Sequence, residues 1–199
     1  EAIKISQAFL DAGDDNVLVK SSLAQAKAGK VPPAFIATPV AGVAESLFSL
    51  ASAMTDEQSI DVAQLYAQLA LSLKGDKPVH LTLLGDIHVT AKQYENAIKA
   101  YDEIPASSPL RINADTEIAV NLQRLERTKD AQAKLNEIIA RNDASYDALV
   151  TLGNVHRSNE EYPLATAAYS RALALVKNIE KDHWRVLYYR GITFERQKI

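Results

Sequence analysis

The small and apolar residues of this chain recur with a period of 34 positions. Four glycine or alanine residues fall on this period: Ala51, Gly85, Ala119 and Gly153. A second set of alanines follows each of them after twelve residues: Ala63, Ala97, Ala131 and Ala165. Within each unit the packing residues are three or four positions apart, which places them on one face of a helix. The pattern therefore predicts two helices per unit, stacked as hairpins in a solenoid.

Larger side chains fill the other packing positions of the period. The second helix of each unit has one such position four residues after its alanine: Ala67, Tyr101, Leu135 and Tyr169. The aromatic group near the C-terminal end is expected to be mostly core as well: Trp184, Tyr188, Tyr189 and Phe194. One residue departs from the pattern, because Asp115 occupies the position at which the other units have an apolar residue: Leu47, Leu81 and Leu149.

This arrangement resembles the tetratricopeptide repeat family, whose pattern combines a Leu-Gly pair with alanine and a ring on the second helix. Two units match it well: Leu84-Gly85, Tyr94, Ala97, Tyr101 and Pro109, and Leu152-Gly153, Tyr162, Ala165, Tyr169 and Ala172. The units around Ala51 and Ala119 match less closely because alanine replaces the glycine. The resemblance covers roughly residues 44–199. It implies an all-α fold, a right-handed superhelix (α-solenoid) of about eleven antiparallel helices.

The period divides the chain into an N-terminal segment and a repeat array. Residues 1–43 are predicted to form helices that end a preceding degenerate repeat, followed by an extended apolar loop. Repeats are expected near four ranges: 44–77, 78–111, 112–145 and 146–179, with a truncated half-repeat at 183–199. The step from Gly153 to Gly191 is 38 residues, so about four extra residues are expected in the connection before the half-repeat.

The positions of proline and of capping residues agree with the predicted ends of the helices. Pro78 and Pro163 fall in the first turn of predicted helices, where the missing N–H has no intrahelical partner to lose. Asp76, Asp143 and Ser145 are expected to cap helix N-termini.

The N-terminal segment carries a second, narrower resemblance. It is similar to the long multi-repeat tetratricopeptide repeat proteins of alphaproteobacteria through these residues: Pro32-Pro33, Ala37-Thr38-Pro39, Gly42, Ala44-Glu45 and Leu47-Phe48. Such proteins often begin with an export or lipoprotein signal, which implies the cell envelope, whereas the residues themselves leave the cytoplasm open. The loop Val31–Gly42 is apolar, so Phe35 and Ile36 are expected to cover the solenoid flank or to contribute to a partner site.

Composition narrows the range of functions. The 199 residues are 47% hydrophobic and 24% charged, which is ordinary for a chain that buries a continuous core. The formal net charge of −3 argues against a nucleic-acid partner, because such proteins usually carry a basic stripe. No apolar run has the length needed to insert into a membrane. The absence of cysteine excludes disulfides and thiolate metal sites.

Neither a catalytic site nor a cofactor is predicted. His88 and His156 occupy one packing position two units apart, and His80 lies too far from His88 to share an ion without further ligands. The acidic pair Glu160-Glu161 lies at a helix junction, where carboxylates are favoured by the helix dipole. We therefore expect a chain that is not an enzyme and that holds no metal or cofactor.

The family resemblance implies a partner-binding groove lined by the first helix of each hairpin. The outward positions of those helices are the candidate residues: Thr82, Asp86, Thr116, Val120, Arg124, Asn154, Arg157, Tyr188 and Arg196. Asn154 resembles the groove asparagine that hydrogen-bonds a peptide backbone in this family, and neighbouring arginines suit a bidentate carboxylate. The carboxylate clamp of chaperone-binding members is not expected, because Thr82 and Asp86 stand at its positions. The alternative is that these residues are only solvated surface.

The sequence leaves three alternative functions for this chain. The first is a non-catalytic scaffold that binds a partner peptide or helix in the concave groove. The second is a self-assembly module in which exposed solenoid ends stack into a homo-oligomer. The third is an enzyme, which would need a catalytic constellation that the sequence does not contain.

Overall fold

The structure, a computed structural model, describes residues 1–12, 16–31, 36–54, 56, 58–74, 78–141, 145–176 and 179–197. Within these residues it contains eleven α-helices, a short 3-10 helix at Lys181–His183 and no strand. The helices are α1 (Ala2–Asp11), α2 (Val17–Lys27), α3 (Pro39–Ala53), α4 (Ile60–Lys74), α5 (Pro78–Thr90), α6 (Tyr94–Asp102), α7 (Arg111–Arg124), α8 (Thr128–Ala140), α9 (Tyr146–Ser158), α10 (Tyr162–Ala174) and α11 (Trp184–Arg196). The predicted all-α class and the helix number are confirmed.

Helix boundaries follow from the residues that cap them. Pro78 opens α5, and Pro163 lies in the first turn of α10, as predicted. The Ser145 side chain accepts a hydrogen bond from the Ala148 backbone N–H at 3.0 Å and so caps α9. Asp76 and Asp143, the other predicted caps, lie outside the described residues.

The turn between the two helices of a hairpin repeats with the sequence period. Lys92, Glu126 and Glu160 are 34 residues apart, and each has a positive φ, of 58°, 61° and 60°. A left-handed residue just after a helix ends the hydrogen-bond ladder and reverses the chain. The backbone therefore obeys the 34-residue period even where the side chains differ.

The described chain consists of two compact units. The first consists of residues 1–91 and 103–111, and the second of residues 92–102 and 112–199. In the first unit α3 packs on α4 and α4 on α5. Its core is a cluster of small and apolar side chains: Ala51, Ile60, Ala63, Ala67 and Ile87.

In the second unit α8 packs on α9, α9 on α10 and α10 on α11. The buried cluster around α10 consists of Ala165, Tyr169, Leu173 and Val186. All eight small residues of the two periodic sets are buried, as predicted: Ala51, Gly85, Ala119, Gly153, Ala63, Ala97, Ala131 and Ala165.

Gly153 shows why a small residue is needed. A Cβ added to it would lie 2.4 Å from Cε1 of Tyr169, far inside van der Waals contact. The tyrosine ring of α10 therefore lies directly on the backbone of α9. This close approach is the packing that the period of small residues predicts.

Asp115, which breaks the apolar pattern, is buried on α7 and neutralised by ion pairs. Its carboxylate oxygens lie 2.7 Å from Nζ of Lys134 and 3.5 Å from Nη1 of Arg141. A buried carboxylate is tolerated only when it is paired in this way. The polar residue at an apolar position is thus balanced by two cations from the following helix and its C-terminal end.

Two expectations are wrong in part. The extended loop was expected to reach Gly42, but α3 begins at Pro39, because Thr38 caps it by accepting from the Ala41 backbone N–H and proline is favoured in the first turn. Ile36 is exposed rather than covering a flank, although its Cγ2 would lie 3.5 Å from a Cβ added to Gly42. Phe35 lies outside the described residues.

The aromatic residues of α11 also differ from expectation, because most of them are not core. Trp184 and Tyr188 are each 58% exposed, and Phe194 is exposed as well. Their side chains therefore lie largely at the surface of α11. Among the described residues, no helix has the length and apolar character required to cross a membrane.

Candidate functional site

Four of the nine predicted partner-binding residues line one surface depression of about 290 Å³. Val120 and Arg124 come from α7, and Asn154 and Arg157 come from α9. The remaining lining residues come from the same two helices: Gln123, Thr151, Val155 and Ser158. This set of eight residues is the Asn154 surface. Its position follows from the helical period, because residues three and four apart on α7 and α9 share one face.

Tyr169 fixes the orientation of the Asn154 side chain. The Tyr169 hydroxyl donates a hydrogen bond to Oδ1 of Asn154 at 2.8 Å. Burial raises the pKa of this hydroxyl above its usual value, outweighing the opposite effect of the nearby Arg157, so the phenol is neutral and remains a donor at neutral pH. Since Oδ1 is occupied, the Asn154 amide presents its NH₂ group, which has no acceptor among the described residues.

Two arginines at the same surface are held by aromatic rings. The Arg157 guanidinium lies 4.4 Å from the centroid of the Tyr189 ring, and its Nε donates to the Tyr169 hydroxyl at 3.3 Å. The Arg124 guanidinium lies 5.3 Å from the centroid of Tyr94. Cation–π contacts of this kind position a guanidinium without neutralising its charge. Within the described part of the chain, neither arginine has a carboxylate partner.

A second depression, of about 270 Å³, adjoins the Asn154 surface through Thr151, which lines both. Two of its lining residues are acidic, Glu117 on α7 and Asp147 on α9. Along α7 and α9 the two acidic residues therefore precede the two arginines of the Asn154 surface. Such an order of charges favours a ligand whose own charges run in the opposite direction.

The tetratricopeptide repeat family model matches residues 116–178 and again residues 150–199, which include the whole Asn154 surface and every residue of the second depression except Asn113. The chain carries tetratricopeptide repeats over residues 116–199. No curated protein matches the sequence.

Solved structures extend the likeness to the rest of the chain. A tetratricopeptide repeat protein from Parabacteroides merdae is 16% identical, with a TM-score of 0.65 over 99% of this chain and 72% of its own. MamA is 18% identical, with a TM-score of 0.61 over 78% of this chain and 83% of its own. YrrB, described as a tetratricopeptide repeat protein with an unusual peptide-binding site, is 15% identical, with a TM-score of 0.53 over 82% and 86% of the two chains. These values show a shared fold.

The other predicted site residues are dispersed over the repeats. Thr116 is buried, donates its hydroxyl hydrogen to the Ile112 carbonyl and borders the acidic depression. Thr82, whose hydroxyl donates to the Pro78 carbonyl, lies with Asp86 on α5 in the first unit. Tyr188 and Arg196 are exposed on α11, outside the Asn154 surface.

Three contributors are not among the nine predicted residues. Tyr169 was assigned to packing, which it performs, but its hydroxyl also orients Asn154. The signal for this second role is the ring on Gly153, since a ring there ends beside the next residue of α9. Tyr189, rather than Tyr188, is the aromatic partner of Arg157, and Thr151 joins the two depressions.

His156 and His80 make hydrogen-bonding and packing contacts within the repeats. Nδ1 of the buried His156 lies 2.6 Å from Oε2 of Glu161, which also accepts from the Gln132 amide at 2.7 Å. His80 packs against Phe48 with ring centroids 4.4 Å apart. Among the described residues no group of three or more histidine, aspartate or glutamate side chains is placed to hold a metal ion.

The repeat architecture determines what such a surface can do. Stacked hairpins present extended faces whose side chains are not needed for packing, and these faces serve as interaction surfaces. The chain is therefore built as an interaction scaffold, with the Asn154 surface as its best-defined candidate site.

Proposed function

We propose that this chain is a non-catalytic protein-interaction scaffold that binds an extended peptide or helix of a partner protein at the Asn154 surface. The observation that carries the proposal is the Asn154 amide, which Tyr169 holds with its NH₂ group available to a ligand. A preorganised donor binds better than a mobile one because little conformational entropy is lost on binding.

The ligand chemistry follows from the groups around this amide. The Asn154 NH₂ group suits a backbone carbonyl of the partner, and the guanidinium groups of Arg124 and Arg157 suit a carboxylate, which arginine binds in bidentate geometry. The acidic residues Glu117 and Asp147 favour a basic group at the other end. The expected ligand is therefore a segment with an acidic residue beside Arg124 and Arg157 and a basic residue beside the second depression.

One solved structure of similar fold supports a peptide as the class of ligand. YrrB has the same fold and is described as having a peptide-binding site. For this chain, a peptide ligand is proposed from the residues of the Asn154 surface and not from the similarity to YrrB.

The test begins with selection of binding peptides from a displayed random library, using the whole chain as bait. Affinity of a selected peptide is then measured by fluorescence anisotropy for the wild type, for Asn154→Ala and for Arg157→Gln. Loss of the amide donor should weaken binding about tenfold, and loss of the charge-assisted bond about tenfold to a hundredfold. Arg171→Gln is the matched control, since Arg171 is an exposed arginine on α10 outside the surface.

The affinities of the three variants decide whether the Asn154 surface binds the peptide. Weakening by both surface variants, with the control unchanged, supports the proposal, and an acidic residue common to the selected peptides supports the arginine contribution. Selected peptides that bind the wild type and both variants equally would contradict it.

A second candidate function, self-assembly by stacked repeat ends, is favoured by one observation. Gly191 has nothing within 4 Å of an added Cβ, whereas the corresponding Gly153 is covered by a ring. The exposed Trp184 and Tyr188 lie on the same helix. Under this proposal the chain forms oligomers that grow with concentration and that Tyr188→Glu dissociates, as measured by light scattering.

A further inference from the structure

The outer face of α4 is an apolar stripe exposed to solvent. Val62, Leu65, Leu69 and Leu73 are 40%, 53%, 42% and 42% exposed, respectively. Their spacing of three and four residues aligns them along one side of the helix. Between Asp61 in its first turn and Lys74 at its last position, α4 contains no charged residue.

The other repeats show that packing does not require this stripe. One period later the same positions are polar: Asn96, Lys99, Glu103 and Ser107. Two periods later three of the four are charged: Asp130, Ala133, Glu137 and Arg141. All eight of these residues are exposed. In the last repeat Leu164 and Leu175 are again apolar and exposed, but Ala167 and Arg171 lie between them. A continuous stripe of four large apolar side chains is therefore specific to α4 among these repeats, and an exposed stripe of this kind marks an interaction surface.

We propose that two copies of this chain pair through this stripe, with their α4 helices antiparallel about a two-fold axis. A two-fold contact requires a patch that complements itself. The stripe meets this requirement, because antiparallel pairing sets Val62 against Leu73 of the second copy and Leu65 against Leu69 of the second copy.

Charge selects the antiparallel arrangement and a second copy as the occupant. Antiparallel pairing brings Asp61 of each copy to the end of the other helix, which finishes at Lys74. The opposed helix dipoles add to this attraction. Parallel pairing would instead place like charges together at both ends. The stripe is distinct from the Asn154 surface, so the dimer and the proposed peptide binding are independent.

Sedimentation equilibrium over a concentration series tests the dimer. The wild type should show a monomer–dimer equilibrium, and Leu65→Glu should weaken it at least about tenfold by placing a charge in the apolar contact. Leu164→Glu is the matched control, because Leu164 on α10 and Leu65 are both 53% exposed. Neither substitution removes a buried side chain, and circular dichroism verifies that both variants fold.

Single cysteines test the orientation, because the chain has none of its own. With a rise of about 1.5 Å per residue, two copies of position 69 would be offset by about 5 Å along an antiparallel pair, and two copies of position 73 by about 17 Å. A short bis-maleimide should therefore link Leu69→Cys into a dimer and leave Leu73→Cys monomeric. Leu69 and Leu73 are equally exposed, which makes the two variants comparable.

The remaining outcomes overturn the inference. A wild type that is monomeric throughout, or that loses the dimer only with Tyr188→Glu, would exclude the α4 contact. Equal cross-linking at both positions would exclude the antiparallel arrangement. Cosedimentation of a monomeric chain with lipid vesicles, abolished by Leu65→Glu, would assign the stripe to a membrane surface instead. Peptide binding at the Asn154 surface should be unchanged by Leu65→Glu in every case.

Discussion

At the scale of single residues, Gly153 links helix packing to the proposed binding site. The ring of Tyr169 occupies the space that a side chain at Gly153 would need, and the same ring carries the hydroxyl that orients Asn154. A residue whose neighbours are fixed by core packing is held more rigidly than one on a loop. The binding geometry is thus a consequence of the repeat's own packing.

The two aligned glycines give opposite predictions. Gly153→Ala should lower the free energy of unfolding by about 1–2 kcal/mol, because the overlap with Tyr169 exceeds the gain in helix propensity. Gly191→Ala should raise it by up to about 1 kcal/mol, because an added Cβ meets open space there. Guanidinium-induced unfolding of both variants provides the check. Equal effects of the two substitutions would contradict the packing described for Gly153.

Asp115 gives a second prediction at this scale. Leucine occupies the same position in the neighbouring repeats and is buried there, as Leu81 and Leu149. Replacing a buried ion pair by an apolar residue is often neutral or stabilising, and Lys134 and Arg141 are partly exposed and can return to water. Asp115→Leu should therefore change the free energy of unfolding by less than about 1 kcal/mol.

Asp115→Ala is the control for that substitution. It removes the same charge but leaves a cavity, so it should destabilise by about 2 kcal/mol. Thermal unfolding distinguishes the two. A Leu variant as unstable as the Ala variant would show that the ion pair itself holds α7 and α8 together.

At the scale of the elements, helix ends position the site as much as helix faces do. α9 carries Asn154 and Arg157, and its first turn depends on the Ser145 cap. Turns with a left-handed residue at the 34-residue period set where the second helix of each hairpin begins. The orientation of α9 relative to α10 is consequently fixed at both ends of α9.

The cap on α9 can be tested directly. Ser145→Ala removes the acceptor for the Ala148 N–H and should lower the free energy of unfolding by about 1 kcal/mol. Ser145→Asp retains a capping acceptor and should restore stability. Chemical unfolding monitored by circular dichroism gives both values. Identical stability of the Ala and Asp variants would contradict a contribution from the cap.

At the scale of the whole molecule, the sequence predicts packing better than it predicts surfaces. The period of small residues identified the buried positions, because close helix contact restricts those positions to glycine and alanine. It did not predict the exposed aromatic residues of α11, because helical spacing shows which side chains share a face and not whether that face is covered.

The candidate site was predictable only in outline. Helical phase placed Val120, Arg124, Asn154 and Arg157 on one surface, and the structure brings those four together. Phase alone did not reveal the hydrogen bond from Tyr169, because a packing pattern describes the ring and not its hydroxyl. The apolar stripe of α4 was not predicted either, because its residues lie between the buried positions of the same helix.

Binding of a partner segment across α7 and α9 can be observed residue by residue by NMR. Isotope-labelled chain is titrated with a peptide selected for binding, and the shift changes are mapped onto the sequence. If the peptide binds at the Asn154 surface, the largest chemical-shift changes will occur at the Asn154 side-chain amide and along α7 and α9. Changes confined to α4 or α11, with the Asn154 amide unmoved, would contradict it.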